Sequence, residues 1–381
     1  MSKLFYLGTI LLILFEAANI YFILPIPGSQ EINSISVAYF LHFHQWVIRG
    51  ILGVIILLGI VSAWRSSKIL VLILLVLTGA VEYVANFKMA ADHMFYQPEK
   101  VTMLNASYNR ISAEKLIIGV AYQNEAKAYP IQFLAFHHQV RDSIGGLPIM
   151  VTYCTVCRTG RVFQPVLKGK NETFRLVGMD HFNAMFEDHT TKSWWRQESG
   201  EAVAGPLKGQ TLDEFPSTQA TLGNWLKLHP NSLVMQSDTT FQSEYDSLSN
   251  YEGGRKTGKL TMHDTASWQK KSWVAGIVLN GQGKAYDWNN LLVKKIINDE
   301  ISGVPFALFL AADDKSLFAF KRNPDQQNLF IRNDTLSDGR FQYNLLGIQY
   351  QDSTKKLQPL QIYQEYWHSW QSFHPSTLTD R

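Results

Sequence analysis

Cys154 and Cys157 are the only cysteines among 381 residues, and they stand three apart in the run VTYCTVCRTGRVF at 151–163. Two thiols at that spacing form a disulfide staple, a thiol–disulfide exchange pair or half of a metal site. A staple closing four residues gains roughly 2 kcal/mol at most from loop entropy. That is little for a structural crosslink. Exchange suits an oxidising compartment, and Arg158 beside Cys157 favours a thiolate. Redox pairs of this spacing typically open a helix, however, and residues 158–163 read as a turn followed by a strand. A metal site needs four ligands when closed, or three with an open position. With no second cysteine pair, His137, His138, His181 and Asp180 are the residues available to complete a centre on Cys154 and Cys157. Of these, His137 and His181 are the expected ligands. His138 and His189 read as ordinary hydrogen-bonded or surface residues. Soft sulfur suits zinc, copper or iron. A c-type haem is not expected, because Arg158 stands where a histidine is required. No nucleotide motif is present.

A second polar cluster follows at 178–209, GMDHFNAMFEDHTTKSWWRQESGEAVAGPLKG. Asn183, Trp195, Arg196, Gln197 and Glu201 are the residues that would line a pocket there. The alternative is an aromatic core with a charged rim. A metal beside such a pocket would supply Lewis acidity or carry electrons. Nothing in the sequence chooses between those roles.

These residues are preceded by a membrane portion. Residues 4–25, 46–64 and 69–87 are each close to the ~20 apolar residues that cross a bilayer. The first run is too long for a signal peptide, and Pro25 and Pro27 stand where a small-residue cleavage site would follow. Lys3, Arg65 and Lys68 flank the spans, while the loop 26–45 carries no Lys or Arg. The amino terminus and the 65–68 loop are therefore expected on the cytoplasmic side, and the C-terminal domain outside. Glu16, Arg49 and Glu82 fall within the spans, together with Asn19 and Asn86. Intramembrane charge is costly and finds partners, so Arg49 is expected either to neutralise Glu16 or Glu82 or to form a polar site with them. His93 and Met94 follow the third span as an interface anchor.

The remaining chain contains one pattern twice. Lys127-Ala128-Tyr129 recurs as Lys284-Ala285-Tyr286, an offset of 157 (284 minus 127), and Asp142, Gly146 and Pro148 recur as Asp299, Gly303 and Pro305. Further on, Trp225 with His229-Pro230 recurs as Trp370 with His374-Pro375, the offset falling to about 146. Such units are too long for a solenoid repeat. Each reads as two strands, a short helix, a turn and further strands. The expected fold is α+β: three N-terminal transmembrane helices (1–90), then a β-rich, internally duplicated extracytoplasmic domain. Its first repeat spans 91–250 and carries the cysteines; its second, 251–381, is degenerate. In the second copy Ala311 and Asp314 replace the cysteines, and Lys294 and Lys295 replace His137 and His138. The pattern survives without them, so they are expected to serve a site rather than the core.

Net charge is +3, which gives no electrostatic footprint for nucleic acid. The expected partners are the bilayer and an unidentified small molecule or protein.

In order along the chain, GV at 119–120, AYP at 128–130, His137, Asp142 with IGG at 144–146, TYCTVC at 152–157, Asn183, Trp195 with Gln197, GEAVAGPLKG at 200–209 and Trp225 with HP at 229–230 form a set. On that set, residues 116–232 resemble the bacterial family catalogued as domain of unknown function 3179, and the second copy resembles it more distantly. Where the family usually reads TYCPLCG, a rubredoxin-like knuckle, this chain has Thr155, Val156 and Arg158. His181 stands where the family often has tyrosine. The resemblance implies a bacterial inner-membrane protein and a site, not a reaction. Three functions follow from the residues: a metal-binding Cys-x-x-Cys/His centre, a membrane-tethered thiol–disulfide oxidoreductase in which Cys154 attacks first, and a non-enzymatic receptor or assembly factor.

Overall fold

Long uninterrupted runs of Leu, Ile and Val leave a helix no polar face to turn toward water. Ser2–Ile23, Gln45–Ser66 and Lys68–Lys88 are such helices, each long and apolar enough to cross a membrane. Their outer surfaces are apolar, with Leu14, Leu57, Leu58 and Val76 largely exposed. Small residues let the first two approach closely: a Cβ on Gly59 would lie 2.3 Å from the Phe5 backbone nitrogen. The computed structural model describes residues 1–98, 100–323 and 327–381.

Packing divides the chain into two units, residues 1–96 with 172–211, and residues 97–171 with 212–381. This differs from a division in sequence order at 90 and 250, because the segment 172–211 joins the helices rather than the strands around it. Its strands form an antiparallel sheet in the order Ala202–Ala204, Trp194–Arg196, Asn183–Asp188, Phe174–Asp180. The apolar face of that sheet, Val177, Met185, Trp194 and Val203, packs on Phe22, Ile23, Ile35, Ala38 and Tyr39. These come from the end of the first span and the short helix Ile35–Phe43. By sequence, 178–209 reads as a polar cluster; the apolar partner of this sheet lies about 150 residues earlier in the chain, where periodicity gives no signal.

In the other unit, the first half sets out strands Leu116–Tyr122 and Glu125–Pro130, a helix Ile131–His137, and strands Gln139–Ile144, Leu147–Cys154 and Thr159–Phe163. The second half has the same order: Trp273–Leu279, Gln282–Asp287, helix Trp288–Lys294, then Ile296–Ile301, Val304–Leu310 and Leu317–Lys321. The matched residues do matched work. Lys127 and Tyr129 bond Asp142 at 3.1 and 2.8 Å, and Lys284 and Tyr286 bond Asp299 at 2.6 and 2.7 Å. These locks tie the second strand of each half to the strand after the helix. Each helix is closed by a left-handed residue, His138 or Lys295. Later, the Trp225 indole donates to Ser232 Oγ at 2.8 Å and that of Trp370 to Thr377 Oγ1 at 2.7 Å.

The halves complete one another. Gln219 Nε2 donates to Gln364 Oε1 at 3.0 Å, and Ser217 and Gln361 exchange two bonds of 3.1 Å. The second half's turn before Leu317 offers Asp313, which accepts from Thr221 Oγ1 and Asn224 Nδ2 at 2.7 and 2.8 Å. In the opposite direction, the Tyr366 N–H donates to the Cys157 carbonyl at 2.9 Å.

Gly119 and Gly276 lie flat under the tryptophans: an added Cβ would stand 2.4 Å from the Trp225 ring and 2.1 Å from that of Trp370. Overpacking of a filled core costs about 1–3 kcal/mol. Gly276→Ala and Gly119→Ala should therefore each lower the thermal midpoint of the full chain in detergent by several degrees, whereas Gly53→Ala, with nothing within 4 Å, should leave it unchanged.

Candidate functional site

The cysteine strand and the strand after it pair Cys154 with Thr159, so residues 155–158 form a tight hairpin turn. Arg158 closes it in the left-handed region, φ 58°. The whole turn is buried, both cysteines completely, and both are thiols rather than a disulfide. A buried carbonyl must find a donor, and each one in this turn does. Tyr251 OH donates to Thr155 O at 2.9 Å, Lys271 Nζ to Val156 O at 2.6 Å, and the Tyr366 N–H to Cys157 O. His368 Nε2 lies 3.0 Å from the same Val156 oxygen and 3.1 Å from Lys271 Nζ. Tyr251, Lys271, Tyr366 and His368 all lie beyond residue 250; from the first half, Thr159 Oγ1 adds a longer bond of 3.4 Å to Cys157 O. Arg161 Nη2 reaches the buried Glu365 carboxylate at 2.5 Å, whose other oxygen accepts from Ser369 Oγ at 3.0 Å.

The electrostatics follow from burial. Burial, then the bond and field of Cys154, push the Cys157 thiol well above its ordinary value, against the opposing pull of Ser369 and Lys271. Burial lowers Lys271 to about 8, the neighbouring thiols acting in the other direction. Burial and the Lys271 charge hold His368 at about 3. At neutral pH the turn thus holds a protonated Cys157 thiol, a neutral imidazole and an ammonium whose pKa is close to working pH. Such a group is suited to exchange a proton with a thiol.

The other expected ligands lie elsewhere. His137 Nε2 is 2.6 Å from the Tyr245 hydroxyl, inside an aromatic cage with Phe241. His138 Nδ1 is 2.9 Å from Tyr153 O, and burial lowers it to about 4. His181 belongs to the other unit, its Nδ1 2.7 Å from Asp180 Oδ1. Among the described residues, no three His, Cys, Asp or Glu side chains gather where a metal ion would be held.

The second polar cluster is assembled as bonded pairs on the sheet of residues 174–204. Asn183 Nδ2 donates to Gln197 Oε1 at 3.0 Å, and Arg196 binds Asp180 Oδ2 at 2.6 and 3.0 Å. Glu201 is 3.5 Å from Arg196, and the Trp195 indole donates to Asp188 at 2.9 Å. Within the helices, Arg49 clamps Glu16 through Nε and Nη2, both at 2.8 Å, and reaches Asn86 Oδ1 at 2.7 Å. Glu82 lies 3.8 Å from Arg49. These four border a cavity of about 600 Å³ that also meets His42 and Arg175.

Sequence reasoning missed Lys271, His368 and Ser369. A signal existed: the second half reads WHSW at 367–370 where the first reads LGNW at 222–225. The second copy gains polar residues there as well as losing the cysteines.

Fold and site define a protein with three membrane-length helices and an α+β unit built around a buried dithiol turn. The chain belongs to the family described as "Protein of unknown function (DUF3179)", whose model matches residues 95–377. That match takes in both halves, where the quoted motifs covered the first. No curated protein and no solved structure matches the chain.

Glu187 shows how the sheet of residues 174–204 depends on charge. It accepts from Arg175 Nε and the Trp194 indole, both at 3.0 Å, and lies 3.5 Å from His42. Burial raises its pKa, but His42, Arg175 and Trp194 outweigh burial and hold it at about 2. A carboxylate depressed in the folded state stabilises above its unfolded pKa and loses that contribution as pH falls to the folded value. Glu187 should therefore support the fold fully above about pH 4.5 and lose its share as pH falls toward 2. Thermal midpoints measured from pH 7 to pH 3 should fall less steeply in Glu187→Gln, which starts lower at pH 7.

Proposed function

We propose that this is a multi-pass protein of the bacterial inner membrane whose duplicated C-terminal domain faces out of the cytoplasm and works as a thiol–disulfide exchanger. One observation carries the reaction: two fully buried free thiols share a hairpin whose Val156 carbonyl is held by Lys271 Nζ at 2.6 Å. Exchange with a substrate disulfide balances without a further reactant. Two protein S–H bonds and one substrate S–S bond give one Cys154–Cys157 S–S bond and two substrate S–H bonds. The rate of such exchange follows the thiolate fraction of the attacking sulfur. Lys271, lowered to about 8, is the group placed to raise that fraction: its neutral amine form takes the thiol proton, and the ammonium so formed stabilises the thiolate. The extracytoplasmic side supports the reading, because it is the compartment in which disulfides persist.

Duplication explains the shared locks, and divergence explains the division of labour. One half keeps the thiols, and the other supplies the groups that enclose them. The wider unit would then be an enzyme or an electron-transfer partner and not a receptor.

A second reading keeps the thiols as soft ligands for zinc, copper or iron. Two sulfurs converging in a dry turn favour it. Zinc asks for four ligands, so copper(I), which soft sulfur selects, fits the two-sulfur turn better than zinc. His137, or His181 from the other unit, would have to leave its present partner to contribute.

Metals and thiols should be counted on one anaerobic, chelator-free preparation of the full chain in detergent. Exchange predicts two thiols per chain that oxidise reversibly to one internal disulfide, abolished in Cys154→Ser and in Cys157→Ser. About one equivalent of bound metal, lost in both variants and in His137→Ala, would replace exchange with the second reading.

A further inference from the structure

Arg158 is the residue of the turn that its surroundings do not explain. It holds a left-handed backbone, φ 58°, which is costly for a long side chain and persists at sites where function requires it. In the second half, the corresponding turn places Asp314 in that conformation, a residue type that adopts it more readily. The Arg158 side chain is buried, 2% exposed. Its Nε and Nη1 have no hydrogen-bond partner. The guanidinium lies 3.8 Å over the Trp273 ring, a contact that holds it in place but leaves Nε and Nη1 unused among the described residues.

The groups around it do not fill that role. Tyr251 and Tyr366 give their hydroxyl protons to Thr155 O and Thr261 O at 2.9 and 3.0 Å. His263 stacks on the same tryptophan. Glu252 is near enough for Arg158 to affect it electrostatically, yet one of its oxygens accepts from the Leu116 N–H at 3.1 Å and the other has no partner. Buried charged groups are ordinarily paired. A planar guanidinium with unused N–H groups matches a carboxylate. One guanidinium offers a place for one carboxylate group of a ligand. Lys271 adds no second claim, since its protons go to Val156 O and Leu260 O, both at 2.6 Å.

We propose that Arg158 binds the carboxylate of a small-molecule thiol or disulfide, and so selects the substrate that meets Cys154 and Cys157. The substrate class rests on the exchange reading above; the carboxylate site does not. Arg158 belongs to the same four-residue turn as Cys157, so the ligand class that would use both is a compound carrying a carboxylate and a sulfur. The segment 252–272 carries no helix or strand and lies over the turn through Lys271 and His263. It is the part that must give way for entry.

The probes are 3,3′-dithiodipropionate and the uncharged 2-hydroxyethyl disulfide, each offered to the reduced full chain in detergent. The ratio of their oxidation rates is read against the same ratio for dithiothreitol. A site built for a carboxylate should favour the charged disulfide by about tenfold or more. Propionate should compete. Arg158→Gln should bring the normalised ratio to about one, and Arg158→Lys should keep part of the preference; a thermal midpoint for each variant shows that it is folded. A normalised ratio near one in the wild type, or a preference that survives Arg158→Gln, overturns the proposal. If neither disulfide oxidises the protein, the exchange reading fails. The carboxylate site is then decided by propionate alone: a saturable change in tryptophan fluorescence, lost in Arg158→Gln, upholds it, and no change overturns it.

Discussion

Three buried carbonyls in one hairpin turn constrain this protein more than any other feature. Residues 155–157 cannot reach water, and a peptide oxygen left without a donor in such a place costs about 1–3 kcal/mol. The first half adds only a long bond of 3.4 Å from Thr159 Oγ1 to Cys157 O; the donors within 3.0 Å are Tyr251, Lys271 and Tyr366. The enclosure of the thiol turn therefore depends on the second half. The reverse also holds. The second half's turn carries Asp313, which serves the start of the first half's helix Leu222–Leu228. Each half closes the other, and at only one of the two junctions does the turn carry sulfur.

That asymmetry connects packing with chemistry. At the Asp313 junction a carboxylate accepts four or more hydrogen bonds and stays ionised, its pKa held down by Ser316, Thr221 and Lys315 against burial. It reads as a fastening. At the cysteine junction the side chains are thiols, and the charge belongs to Lys271 and Arg158. Folding uses Lys271 as a donor to Val156 O, but nothing about folding requires the Arg158 guanidinium, whose Nε and Nη1 are unused among the described residues. A buried ion that stability does not call for is a candidate for function.

Much of this was legible from residues alone. The three spans follow from length and hydropathy. The Glu16–Arg49 pair follows from the cost of charge in a bilayer. The Lys-Ala-Tyr and Asp positions recur because in both halves they make the same lock between neighbouring strands. What was not legible is long-range. His137 looked like a ligand because it precedes the cysteine strand, but Tyr245, 108 residues away, takes its Nε2. His181 looked close in sequence, but the segment 172–211 packs with the helices. Lys271, His368 and Ser369 carry no motif. Their significance comes from which turn they meet, and neither periodicity nor spacing encodes that.

The claim that the second half builds the thiol centre is tested most directly by the alkylation rate of Cys154 and Cys157 in the folded full chain. Tyr251→Phe removes the donor to Thr155 O and leaves the Lys271 charge in place. The account predicts slow labelling of the wild type and acceleration by about tenfold to a hundredfold in Tyr251→Phe, the equivalent of about 1–3 kcal/mol of lost hydrogen bonding. Labelling that is equally slow in the variant, with the wild-type thermal midpoint retained, would mean that the first half encloses its own thiols, and would contradict the account.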